Sequence, residues 1–178
     1  GAYPYYNRYY WQYVGTDEYV EIPDKINGED VTDAIFMFYR TSVKGVKSLD
    51  NEITNTSGMF QESKASTLDL SQFNTSKVTD MSLMFKSVGA SDIKFGNIDT
   101  SNVTNMSDMF SLSETLNLDL SNFDTSKVTD MSNMFNDSKA TNINLNSIDT
   151  SNVENMYAMF EKSKALKLDL HNFNTSKV

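Results

Sequence analysis

Apolar positions recur in fixed rows along this chain. The pair Met-Phe falls at 59–60, 84–85, 109–110, 134–135 and 159–160, a spacing of 25 residues each time. An apolar/polar/apolar triplet keeps the same period: Leu68-Asp69-Leu70, Ile93-Lys94-Phe95, Leu118-Asp119-Leu120, Ile143-Asn144-Leu145 and Leu168-Asp169-Leu170. Three places on stand Phe73, Ile98, Phe123, Ile148 and Phe173, followed by a Thr-Ser-Lys/Asn-Val run that ends at Val78, Val103, Val128, Val153 and Val178. A fixed period of this size means a solenoid, with one structural unit per coil.

Each coil divides in two. The alternating triplet has the period of a short half-buried strand. The segment after Thr-Ser does not alternate: Val128, Met131, Met134 and Phe135 lie on one face of a helix. The spacing predicts about two helical turns there, N-capped by Ser126 or Thr125, with Asp124 accepting from nearby amides. Ser63/Ala65, Ser138/Ala140 and Ser163/Ala165 place small residues where the chain must return tightly to the next strand.

One coil alone cannot fold. It offers about seven apolar side chains, worth roughly 1.5–3 kcal/mol each when buried. Ordering its backbone costs about 1–2 kcal/mol per residue over the whole coil. Stacking is therefore what the apolar rows exist for. A second period overlies the first, since the segments at Phe123 and Lys127 alternate with those at Ile98 and Asn102. Duplication of a 50-residue pair accounts for this, and so does a surface with alternating chemistry.

The N-terminal part is less regular. VTDAIFMF (31–38) and ITNTSGMF (53–60) align with VTDMSLMF (78–85), but the first two Met-Phe pairs are 22 apart. YVEIPDKINGEDVT (19–32) reads as an opening strand and a turn. Upstream, AYPYYNRYYWQYVG holds six tyrosines and the single tryptophan. The expected division is an aromatic cap or leader over 1–18 and a solenoid over 19–178, irregular at 19–60 and regular from 61. A hairpin or extended segment lidding the first coil suits the aromatics; tyrosine faces that stack on sugars, or a leader without fixed structure, are the other readings.

Composition narrows the function classes. A net charge of −9 argues against nucleic acid and against acidic lipid surfaces as partners. With no cysteine there are no disulfides and no thiolate metal sites, and with His171 as the one histidine a multi-His zinc site cannot form. No run of 18 apolar residues occurs, so no membrane insertion is expected. The chain opens Gly1-Ala2 and stops at Val178 inside the pattern, and is expected to be a trimmed piece whose signal or anchor lies elsewhere.

LDLSNFDTSKVTDMSNMF (118–135) resembles the signature repeat of the BspA-like leucine-rich-repeat surface proteins of bacteria. YVEIPDKINGEDVT resembles the related "IP..ING..V" repeat of the same proteins, and the resemblance spans about residues 19–178. It implies an α/β solenoid, a right-handed leucine-rich-repeat-like coil of 25 residues with short parallel strands on one face and short helices on the other. It also implies secretion or display on the cell surface, adhesion, protein–protein contact with hosts or other cells, and no shared catalytic residues. Many family repeats carry Cys three residues after Met-Phe, where this chain has Ser63, Val88, Ser113, Ser138 and Ser163. The Asn of ordinary leucine-rich repeats is replaced by Phe or Ile, with Asn74, Asp99, Asp124, Asp149 and Asn174 one place later.

An active site needs a unique constellation, whereas these carboxylates and hydroxyls repeat coil after coil. Repetition assigns them to caps and turns. A calcium ion between stacked Asp99, Asp124 and Asp149 is the chemical alternative, since the ligands would all be oxygen; no metal and no cofactor is expected otherwise. What remains is the outward face of the strands. Its central row is Asp69, Lys94, Asp119, Asn144 and Asp169, flanked by Asn117, Asn142 and Lys167 and by Ser71, Gly96, Ser121, Asn146 and His171. This face is the expected binding surface, polar and without aromatic anchors, for a protein such as a host matrix or cell-surface protein, or else for a glycan. A polysaccharide-acting parallel β-helix enzyme and a structural spacer are the rivals.

Overall fold

A computed structural model describes residues 6–7, 10–48 and 50–178, the first two as backbone only. Tyr3, Tyr5 and Tyr9 of the aromatic leader lie outside the described residues. The chain winds into a β-solenoid of about five turns with parallel strands.

Among the described residues ten short strands form: β1 (Tyr6–Asn7), β2 (Gln12–Tyr13), β3 (Tyr19–Ile22), β4 (Lys25–Ile26), β5 (Glu29–Asp30), β6 (Gly45–Ser48), β7 (Thr67–Gln72), β8 (Asp92–Lys94), β9 (Asn117–Asp119) and β10 (Asn142–Asn144). β3, β6, β7 and β8 pair in parallel in that order, and β9 pairs with β10. β1–β2 and β4–β5 are antiparallel hairpins. The latter turns through Asn27 (φ 53°) and Gly28 (φ 85°), the two left-handed residues of a type I′ turn. A second parallel ladder of single bridges runs Asp33, Asn55, Asp80, Asn105, Asp130, Asn155, one from each coil.

The expected short helices are absent; the described residues contain no helix. In a helix the amides of 131–138 would bond four residues back along the chain. Here alternate amides leave the coil: Met131, Asn133, Phe135 and Asp137 donate to the carbonyls of Asn155, Tyr157, Met159 and Glu161 in the next coil, at 2.8–2.9 Å. Those between them close tight turns, Met134 onto Met131, Asn136 onto Asn133 and Ser138 onto Phe135. Asn133 and Asp137 take left-handed backbone (φ 54° and 53°), and Leu83/Ser87, Asp108/Leu112 and Ala158/Lys162 repeat this. Each such residue costs roughly 1–2 kcal/mol, offset by the ladder of lateral hydrogen bonds. The ribbon of turns still turns Met131, Met134 and Phe135 inward, which is why its spacing imitates a helix face.

Every apolar row of the regular coils is core. Phe38, Phe60, Phe85, Phe110 and Phe135 are fully buried. With Phe160 they form one column, centroids 5.4–5.9 Å apart and planes within 15°. Coils repeat at about 4.8 Å, so the longer centroid distance is a lateral offset, the geometry the ring quadrupoles prefer. At the N-terminal end Tyr13 packs against Phe38 at 5.7 Å and its amide donates to the Met37 carbonyl at 2.7 Å. At the other end Met156, Phe160 and Phe173 are only half-buried and Leu170 is exposed.

Candidate functional site

The repeated carboxylates and hydroxyls hold the chain together. Asp99, Asp124 and Asp149 each accept from the amide two residues on, at 2.9, 3.0 and 2.8 Å. These are Asx turns, and no helix follows Ser126 for it to cap. The hydroxyls of Ser101, Ser126 and Ser151, then their amides, hold these three carboxyls below the usual aspartate range, against partial burial and, at Asp99 and Asp149, repulsion from Asp124. Among the described residues, no group of three or more His, Cys, Asp or Glu side chains could hold a metal ion. On the second ladder Asp80, Asn105 and Asp130 accept from Ser82, Ser107 and Ser132 in the same way. Asp and Asn alternate along it, so charges stand two coils apart.

Alternation at the Lys/Asn position also has a structural reason. Asn102 Nδ2 donates to the Ser76 carbonyl at 2.8 Å and its Oδ1 accepts from Lys127 Nζ at 3.0 Å. Asn152 repeats this between Ser126 and Lys177. A lysine in every coil would lose the acceptor and stack like charges.

The outward strand face carries the candidate binding residues, but not as one continuous row. Asp69 pairs with Lys94 in register, with Oδ2 3.9 Å from Nζ. Asn144 Nδ2 donates to Asp119 Oδ1 at 3.1 Å, and Asn142 Nδ2 to Asn117 Oδ1 at 2.8 Å. Asn142 bridges Lys167 in the last coil. Between Lys94 and Asp119 the ladder is interrupted, because β8 and β9 do not pair. Phe95 stands there where the neighbouring coils have Leu, and its ring meets Phe85, Phe110 and Phe123 edge-on at 6.0, 6.1 and 5.2 Å. A phenyl thus stands in place of an isobutyl group where the strand ladder breaks.

Lys94, Asp119 and Asn144 are the last residues of their strands, and the acceptors of the row also bond to the chain just beyond them. Asp69 accepts from the Ser71 amide and hydroxyl at 2.9 and 2.6 Å, Asp119 from Ser121, Asn144 from Asn146 and Asp169 from His171. Lys94 has no acceptor to offer, and the chain turns instead through Gly96 at φ 60°. Ser71 and Ser121 hold Asp69 and Asp119 below the usual range, and His171, whose Nδ1 lies 2.6 Å from the carboxylate, does so for Asp169.

Sequence reasoning missed an aromatic residue on this face. Tyr19 of β3 pairs with Gly45 of β6, and Gly45 with Asp69 of β7, so the central row begins Tyr19, Gly45, Asp69, Lys94. The 25-residue rule does not reach the irregular first coils, and a register shift between β6 and β7 hides the alignment further.

Among the described residues, no helix is long and apolar enough to cross a membrane. No curated protein matches the chain, and no solved structure does. Residues 30–93 and 88–178 both match the sequence model of a single family, so the two stretches together take in almost all of the stacked coils. The match covers more than half of the chain, and the chain belongs to the family described as "Mycoplasma protein of unknown function, DUF285".

Proposed function

We propose that this chain is a non-enzymatic interaction module, displayed on the bacterial cell surface, that binds a protein ligand through the outward face of its strands. One observation carries the reading: Asp69, Lys94, Asp119, Asn144 and Asp169 line the outward face of the strands, exposed or half-buried, beside the polar residues Asn117, Asn142 and Lys167. Solenoids use such broad faces for binding. The Asp99, Asp124 and Asp149 carboxylates, the obvious acids for hydrolysis, are tied to their own Ser residues. The resemblance of LDLSNFDTSKVTDMSNMF to BspA-like surface repeats supports the same reading.

The polar row gives few buried anchors, so the affinity per module is modest and gains from many coils. Host extracellular-matrix proteins are the partner class to screen. Surface-immobilised matrix proteins bind the wild-type chain, and the triple variant Asp69→Asn, Asp119→Asn, Asp169→Asn loses that binding while melting as a folded protein. Equal binding by the triple variant would refute the assignment of this face.

A further inference from the structure

At the first end of the strand face a shallow hollow of about 360 Å³ opens over β3, β6 and β7, within the size range of small-ligand pockets. Its floor is Gly45, where a Cβ atom would stand 2.9 Å from Cδ1 and 3.1 Å from Cε1 of Tyr19. The missing side chain lets the Tyr19 ring lie across the neighbouring strand. Tyr19 is 70% exposed, so its ring offers an apolar surface to solvent beside a polar rim.

The rim is of mixed chemistry. Glu21, Lys47 and Gln72 occupy one register row across the three strands, about 4.8 Å apart. None of the three side chains has a hydrogen-bond or ion-pair partner among the described residues. Asp69 and Ser71 close the third side, already bonded to each other. A polyanion would meet Glu21 and Asp69, and a polycation would meet Lys47. A ligand with hydroxyls on its edge and one apolar face satisfies both ring and rim. Neutral pyranoses have that form: the C–H face lies on an aromatic ring, and the hydroxyls bond to carboxylate, amide and ammonium groups.

We infer that the hollow over Gly45, walled by Tyr19, Glu21, Lys47 and Gln72, is a binding subsite for a neutral carbohydrate. The inference rests on the strand face being a binding surface, and it names the ligand class at one end of it. The test is saturation-transfer NMR and calorimetry with lactose, maltotriose, cellotriose and chitotriose. At least one of the four binds, its ring C–H protons receiving saturation. Tyr19→Ala weakens that binding by about tenfold or more, and Tyr19→Phe keeps it within about threefold. Tyr19 is exposed, so both variants keep the wild-type melting curve. No transfer to any of the four sugars, or transfer unchanged in Tyr19→Ala, overturns the inference. Sugar failure with matrix-protein binding intact leaves the protein-binding reading standing, so the two failures are distinguishable.

Discussion

The Thr125 hydroxyl donates to the carbonyl of Asp149 at 2.8 Å and accepts from the amide of the same residue at 2.8 Å. One buried oxygen thus satisfies both backbone groups of a residue in the next coil. Thr75 does the same for Asp99 and Thr100 for Asp124, and Thr150 for Asn174. Thr125→Val keeps the shape and removes both bonds, leaving a donor and an acceptor stranded at a site where Thr125 is 1% exposed. Each stranded group costs about 1–3 kcal/mol. Thr125→Val is expected to lower the thermal midpoint by many degrees, and Thr125→Ser, which keeps the oxygen, by far less. Equal losses for the two would show that the methyl group matters and the hydroxyl does not.

Much of this was legible in the residues. The 25-residue period, the inward rows from Leu118 to Phe135 and the outward position of Asp119 and its copies follow from repetition alone. The short helix did not survive, because Met131, Met134 and Phe135 have the same spacing on a helix and on a ribbon of turns. Lateral hydrogen bonds decide between them, and those exist only once a second coil of identical shape lies alongside. A local signal was present: Asn133, Asn136 and Asp137 are turn formers that tolerate left-handed backbone, and Gly58 occupies the Asn133 position in an earlier coil. Tyr19 was out of reach for another reason, since its register depends on strand pairing in coils that break the period.

That left-handed position supports a pair of opposite substitutions. Gly58 has φ 62°, and an added Cβ would clash with the ring of Phe36 at Cε1 and Cδ1. Gly58→Ala therefore adds backbone strain and pushes Phe36 off Tyr10 and Tyr39, which its ring meets at 6.1 and 5.8 Å. A loss of about 1–3 kcal/mol is expected. Ala158 takes the same place in the last coil with φ 50° and a half-buried methyl group. Ala158→Gly relieves strain and is expected to be neutral or stabilising by up to about 1 kcal/mol. Urea unfolding of the two variants measures both signs; destabilisation by Ala158→Gly as large as that by Gly58→Ala would contradict the strain argument.

Phe95 offers a test of why the strand ladder breaks. Phe95→Leu removes three edge-on ring contacts and restores the residue found at Leu70, Leu120 and Leu145. Lower global stability is expected, by about 1–3 kcal/mol. Hydrogen exchange at the amides of 117–120 should nonetheless slow relative to the rest of the chain, because β8 and β9 can then approach and pair. Unchanged relative protection of those amides would mean that something other than the phenyl ring separates the coils.

Acid should unfold this solenoid through its Asx turns. Ser101, Ser126 and Ser151 hold Asp99, Asp124 and Asp149 below the range of the unfolded chain, where an aspartate titrates at about pH 3.9. Between the unfolded and folded values the unfolded state binds more protons, so stability rises with pH there. The contribution is fully present above about pH 5 and is lost as pH falls through the folded values. Other carboxylates add their own acid sensitivity, so the discriminating measurement is a difference. The triple variant Ser101→Ala, Ser126→Ala, Ser151→Ala should lie furthest below wild type near neutral pH. The gap should narrow as pH falls below about 4, because protonated aspartates no longer draw extra strength from the hydroxyls. A gap that stays constant across that window would assign the serines a packing role alone.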